Sequence, residues 1–218
     1  MGDPAVFDRW DGGLGWMADR DEAMQRSSHA LVDDGEVWLV DPVEFDGLDE
    51  LIADLGSVVG VVLLLDRHQR DSVALATRYD VPVYLPGPLG AIADDLDART
   101  QVVSDTLAET GYRIIPIVDR GFWREAALFD GETLVVPEAV GTSDFFTVGA
   151  ERLGVHVVLR LLPPRRQLGG LTPDRVLVGH GEGVMTDASA ALQAALARSR
   201  RTAPWLYVKT LRMLLTGR

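Results

Sequence analysis

Residues 57–72 read SVVGVVLLLDRHQRDS, and the fold can be argued from how that stretch is built. Val58 to Leu65 is almost wholly apolar and rich in β-branched residues, the composition of a strand buried on both faces of a sheet. It breaks at Asp66-Arg67-His68-Gln69-Arg70-Asp71, six polar residues of which five can carry charge. Ser72 onward turns helical (VALATRYD), and a short strand follows at Val81–Leu85. A charged cluster at the carboxyl end of a buried strand is where α/β folds usually place their sites. The same residues equally suit a solvated strand-to-helix turn in which Asp71 or Ser72 caps the helix.

Upstream, residues 46–56 (DGLDELIADLG) carry Leu48, Leu51, Ile52 and Leu55 at helical spacing, with Gly56 closing the helix. Before them, His29–Val32 and Glu36–Val40 flank Asp33-Asp34-Gly35, a strong hairpin signal because the favoured turn needs positive φ at both central positions. Residues 1–28 are polar and glycine-bearing and read as a covering segment with little regular structure. Downstream, residues 89–110 carry a weak helical pattern, and a second hairpin joins Phe122–Phe129 to Glu132–Val136 through Asp130-Gly131. Arg175–Gly179 reads as a strand entering His180-Gly181. An alanine-rich helix then runs from Thr186 or Asp187 to about Arg200, and residues 203–218 form an amphipathic C-terminal tail. A chain of 218 residues that is 47% hydrophobic can bury a full core as one domain, 1–218.

Composition narrows the function classes. The chain has no cysteine, which excludes disulfides, a thiolate nucleophile and Cys-type zinc sites. No apolar run approaches the roughly 18–20 residues needed to span a bilayer, and the first twenty residues lack the basic start and apolar core of a secretory signal. A cytoplasmic protein with no membrane partner is the economical expectation. Net charge is -12, and a single lysine, Lys209, stands against twenty arginines. Such a surface disfavours nonspecific contact with nucleic acid. It also resembles proteins of salt-loving microbes, where salt screens crowded carboxylates, although a GC-rich genome would favour the same Arg and Asp codons.

The order of parts resembles the metallo-β-lactamase fold, an αββα sandwich of two mixed β-sheets with helices outside. Three places carry the resemblance. The hairpin ending Val37-Trp38-Leu39-Val40-Asp41-Pro42 is similar to the family's early strand, which ends in an aspartate and a turn residue. The run from Leu63 to Asp71 sits where the family has an apolar strand followed by H-x-H-x-D-H, and Arg175–Gly181 is similar to its late strand ending in G-H-G. The resemblance covers roughly residues 29–200 and implies metal-assisted hydrolysis, with two metal ions, typically zinc, held by the motif residues, a mid-chain histidine, a bridging aspartate and the late histidine.

This sequence departs from that pattern in ways that bear on function. Asp66 takes the first motif slot, His68 keeps the second, Arg70 takes the aspartate slot and Asp71 the fourth. Pro137-Glu138 replaces the family's G-D after the second hairpin, His180 keeps the late histidine, and the mid-chain histidine slot falls on Gly121-Phe122. The dinuclear site is therefore degenerate. The resemblance leaves His68, His180, Asp66, Asp71 and Glu138 as candidate ligands for one divalent ion (Zn, Mn or Fe). With Asp71 in the aspartate slot after a one-residue insertion, His68 and Asp71 become the candidate catalytic residues, acting with a metal-activated water.

The competing expectation is a site without cofactor and without catalysis, in which Arg67 and Arg70 replace the metal's charge, pair with the carboxylates and bind a small anionic ligand, or in which the chain serves a protein partner. A cation in the aspartate slot favours this second expectation. Arg160, Arg165 and Arg166 could hold an anion but read better as neutralising nearby acids, and His29 and His156, beside apolar strand positions, read as structural.

Overall fold

The computed structural model describes residues 4–216. In chain order the strands and helices are β1 (Ala5–Trp10), β2 (Gly13–Met17), β3 (Ser27–Asp33), β4 (Glu36–Val40), α1 (Leu48–Ala53), β5 (Ser57–Val62), α2 (Ser72–Arg78) and β6 (Val83–Pro86). A 3-10 helix (Gly87–Asp95) precedes β7 (Thr100–Val103), β8 (Arg113–Arg120), β9 (Trp123–Phe129), β10 (Thr133–Val136), β11 (Val140–Gly141) and β12 (Gly154–Val155). Then come α3 (Arg165–Leu168), β13 (Arg175–Val178) and α4 (Ala188–Thr216). Strands β1 to β7 form one mixed sheet in sequential order, and β13-β10-β9-β8 form a second.

The organising stretch does what its composition demands. Strand β5 lies between β4 and β6, parallel to both, and the run continues past it through Leu63–Leu65, all fully buried. Leu65 then bridges to Glu125 of the second sheet, so the chain crosses between the sheets just before the charged turn. Three apolar layers hold the sandwich. Leu48, Ile52 and Leu75 from α1 and α2 cover the outer face of the first sheet at Leu39, Val61 and Leu63. Trp38, Val62, Leu64 and Tyr84 meet Leu128, Val135 and Leu177 between the sheets. Leu192, Ala195 and Leu196 of α4 cover Val136 and Val178 on the far side. This is the expected αββα sandwich.

Both hairpins form as read. Asp34 and Gly35 have φ of 49° and 80°, the positive pair the turn requires. Three expectations are corrected. The 1–28 segment is not a loose cover: residues 1–3 lie outside the described residues, but β1 and β2 extend the first sheet and bury Leu14 and Trp16 completely. Its glycines mark close approach rather than loop, since a Cβ on Gly13 would stand 2.0 Å from the Ala30 carbonyl oxygen. Residues 89–110 hold no α-helix but most of the 3-10 helix and then the short strand β7, whose four residues give too brief a pattern to read. Strand β8 also escaped reading, because Pro116 interrupts it at a register shift against β9.

The third correction concerns the C terminus. The alanine-rich helix does not stop near Arg200 but continues through Pro204 to Thr216, absorbing the described part of the 203–218 tail. Proline removes one helical donor and crowds the preceding turn, yet Ala203 just before it is buried and the helix is held beyond it. Leu206 is fully buried, and Lys209 Nζ binds Asp144 Oδ1 at 2.9 Å. Trp205, Val208, Leu211, Leu214 and Leu215 remain exposed on the other face. No described helix is long and apolar enough to cross a membrane.

Candidate functional site

The carboxyl ends of two parallel strand pairs, β4/β5 and β10/β13, converge on one buried cluster. Strand β4 delivers Asp41, the turn after β5 delivers Asp66 to Asp71, the segment after β10 delivers Glu138, and β13 ends in Gly179-His180. Gly179 is needed there: a Cβ would stand 2.2 Å from the Pro137 carbonyl oxygen and 3.1 Å from the His68 ring. Asp41 and Arg70 both hold φ of 44°, a left-handed conformation that non-glycine residues rarely adopt outside constrained sites.

His68 and His180 form the centre. The His68 Nδ1 atom lies 2.9 Å from Asp41 Oδ2, and the His180 Nδ1 atom lies 3.0 Å from the Met24 carbonyl oxygen. A carbonyl can only accept, so His180 Nδ1 carries a proton, and the Asp41 carboxylate fixes the same tautomer on His68. Burial, reinforced by the neighbouring charge of Arg70, drives the His180 pKa down to about 3. Burial followed by Arg70 holds His68 well below its ordinary value. Both rings are thus neutral, and their Nε2 lone pairs face each other at 3.2 Å. Burial raises the Asp41 pKa to about 6 against the pull of Arg70, which leaves it mostly ionised at neutral pH.

Two guanidinium groups close the cluster. Arg70 Nη1 donates to the carbonyl oxygens of Ser27 and Asp41 at 2.6 and 2.8 Å, and Nη2 to that of Gly179 at 3.1 Å, tying β3, β4 and β13 together. Its Nη2 also lies 3.5 Å from His68 Nε2. Burial lowers the Arg70 pKa to about 10, so it stays charged at neutral pH. Arg67 Nη2 donates to Glu138 Oε2 at 3.1 Å, and its Nη1 to the Phe122 carbonyl oxygen at 3.1 Å and to Asp66 Oδ1 at 3.5 Å. The guanidinium rests 4.8 Å from the centre of the Trp123 ring.

Of the five candidate ligands, the structure gathers three. Ligand atoms of His68, Glu138 and His180 lie within 4.8 Å of one another. Asp66 and Asp71 do not join that group. Asp66 Oδ2 accepts the Arg124 amide, and Asp71 Oδ2 accepts the Glu44 amide at 2.8 Å, where it ties the turn to the segment after β4. Arg70 pairs with backbone carbonyls rather than with Asp66, Asp71 or Glu138 side chains.

Three residues at this centre were not among the expected site residues. Asp41 orients His68, and its signal was a lone aspartate before a proline at a strand end. Glu125 is fully buried and accepts the Glu138 and Ala139 amides at 3.0 and 2.6 Å and the Trp123 indole at 2.7 Å, which positions the Glu138 segment. Burial pushes its pKa up to about 7. His156, read as structural, places Nε2 3.4 Å from Glu138 Oε1 and stands edge-on to Trp123. Its apolar flanks concealed it.

The donor set fits one divalent ion. A separation of 3.2 Å between two lone-pair nitrogens suits ligands sharing a tetrahedral ion at bonds of roughly 2.0–2.1 Å. Beside it, Arg70 Nη2 stands 3.5 Å from His68 Nε2, and Asp71 is turned to the Glu44 amide.

Searches of solved structures return metallo-β-lactamases across nearly the whole chain. The chain has the metallo-β-lactamase fold. FIM-1 from Pseudomonas aeruginosa, solved in a mono-zinc form, aligns with a TM-score of 0.60 at 10% identity, covering 90% of this chain and 96% of that one. The DIM-1 metallo-β-lactamase gives 0.59 at 10% identity over 90% and 97%. TMB-1 gives 0.64 at 10% over 91% and 99%. At that identity the likeness establishes the metallo-β-lactamase fold and leaves the chemistry to the residues. No protein-family model and no curated protein sequence matches the chain.

Proposed function

We propose that this chain keeps the frame of a metal-dependent hydrolase but works by binding, with two arginines in place of the metal's charge and a small anion as ligand at Arg67. The observation that carries this reading is Arg70, a half-buried cation anchored on three carbonyl oxygens and 3.5 Å from the His68 nitrogen that would ligate. Like charges at such range in a poorly solvated site repel strongly. The charges already nearly balance, with Arg67 and Arg70 set against Asp41, Asp66 and Glu138. Arg67, whose side chain is 42% exposed, is the more open of the pair, Arg70 being half-buried. A net charge of -12 argues against a nucleic acid partner, and a cysteine-free chain suits the cytoplasm.

The facing Nε2 lone pairs favour a second reading, a hydrolase with one ion held by His68, His180 and Glu138. The ion would supply an activated water there, while Asp41 would orient His68 and Glu125 would hold the Glu138 segment in place.

Elemental analysis separates the two. Protein purified without chelator and dialysed against Zn, Mn and Fe is expected to retain far less than one equivalent. Near-stoichiometric metal that both His68→Ala and His180→Ala remove would overturn the binding reading and establish the mononuclear one.

A further inference from the structure

We infer that the groove beside Trp123 takes an amphipathic carboxylate, an aliphatic or aryl chain whose head reaches Arg67 and Arg120; this rests on the anion-binding reading of Arg67. The groove has a volume of about 360 Å³ and runs between the β8–β9 turn and the segment from Val158 to Gln167. That is enough for a small organic ligand. Phe122, Val158 and Leu162 line it and are 70%, 63% and 70% exposed. Three large apolar side chains converging on one groove from two separate segments mark a binding surface rather than scattered exposure.

Trp123 joins this groove to the arginine centre. Its indole lines the groove and also carries the Arg67 guanidinium, and the Phe122 carbonyl oxygen accepts from Arg67 Nη1. Arginine has five N–H donors. The bonds to Asp66, Phe122 and Glu138 use three, which leaves two on a side chain with substantial exposure. Arg120, on the rim, has no ion pair among the described residues. Asp119 lies on the same rim. Its negative charge weighs against a multiply charged anion such as phosphate and leaves room for a single carboxylate.

The test uses the full chain and measures decanoate, acetate and decyltrimethylammonium binding by calorimetry and tryptophan fluorescence, below micellar concentrations. Decanoate is expected to bind and to change tryptophan emission, with acetate much weaker and the cation inert. Leu162→Glu, at a position exposed enough to leave folding intact, should weaken decanoate about tenfold or more, and Arg67→Gln should weaken both anions. Equal decanoate affinity in Leu162→Glu, or equal binding of the cation, overturns the groove assignment. Acetate binding that Arg67→Gln abolishes, with no gain for decanoate, overturns the groove assignment while the anion site stands. If neither anion binds the parent protein, both readings fall.

Discussion

The Nε2 atoms of His68 and His180 face each other at 3.2 Å with their Nδ1 atoms committed elsewhere, to Asp41 and to the Met24 carbonyl oxygen. Neither ring can turn to offer the other a donor without abandoning a buried partner. The pair therefore demands an electropositive neighbour, and the fold supplies Arg70. The same guanidinium joins the two sheets and, in the metal-free reading proposed above, keeps a metal out.

Arg70→Ala separates these two roles. Removing the guanidinium strips the Ser27, Asp41 and Gly179 carbonyl oxygens of a charged donor. A loss of about 3 kcal/mol in unfolding free energy follows, read by urea denaturation. With the cation gone, the facing lone pairs and Glu138 should take up zinc measurably better, read by equilibrium dialysis. A variant that is destabilised but binds zinc no better than the parent would show that Arg70 is not what keeps metal out.

Glu125 should give a pH signature. Its pKa is raised from 4.5 to about 7 in the folded chain, with burial the largest cause. A raised acid favours folding below its unfolded pKa, and that contribution is lost as pH rises through the folded value. The buried histidines titrate in the opposite sense across an overlapping range, so the comparison must be with Glu125→Gln, in which they are unchanged. Gln sacrifices the Trp123 bond and should be less stable throughout. Between pH 6 and pH 8 the gap between the two proteins should narrow by on the order of 1 kcal/mol. A constant gap would mean that Glu125 is already ionised at pH 6.

The acidic composition carries its own expectation. At a net charge of -12 the folded chain repels itself, and salt relieves this by screening exposed charges beyond about 10 Å at 0.1 M and about 3 Å at 1 M. If the chain is adapted to high salt, its melting temperature should climb steadily between 0.1 M and 2 M potassium chloride. A flat profile would return the Arg and Asp bias to genome composition.

Much of this architecture was legible in sequence because its signals are local. The apolar run through Leu65, the Asp34-Gly35 turn and the helical spacing of Leu48 and Ile52 each state one structural choice within ten residues. The site was less legible. His68 and His180 could be placed through the resemblance, but Asp41, Glu125 and His156 act through partners 27, 13 and 18 positions away. Arg70 was recognised as a misplaced cation, yet its partners are backbone carbonyls, which no side-chain pattern announces. Strands β1 and β2 were obscured because Gly13 and Gly15 resemble loop punctuation, although close contacts to Ala30 and His29 explain them.

Helix α4 offers the sharpest contrast between what periodicity suggests and what packing decides. Beyond Pro204 the helix has an apolar residue on nearly every side, so the sequence alone does not say which of them the body covers. Leu206 is fully buried, whereas Leu215 is 77% exposed. Leu206→Ala should therefore cost about 2–4 kcal/mol through lost burial and the cavity left behind. Leu215→Ser, on the uncovered face, should change stability by no more than about 0.5 kcal/mol. Both are read from urea unfolding of the full chain. Equal effects from the two substitutions would mean that the helix past Pro204 does not dock through Leu206, and the tail would then be a separate element after all.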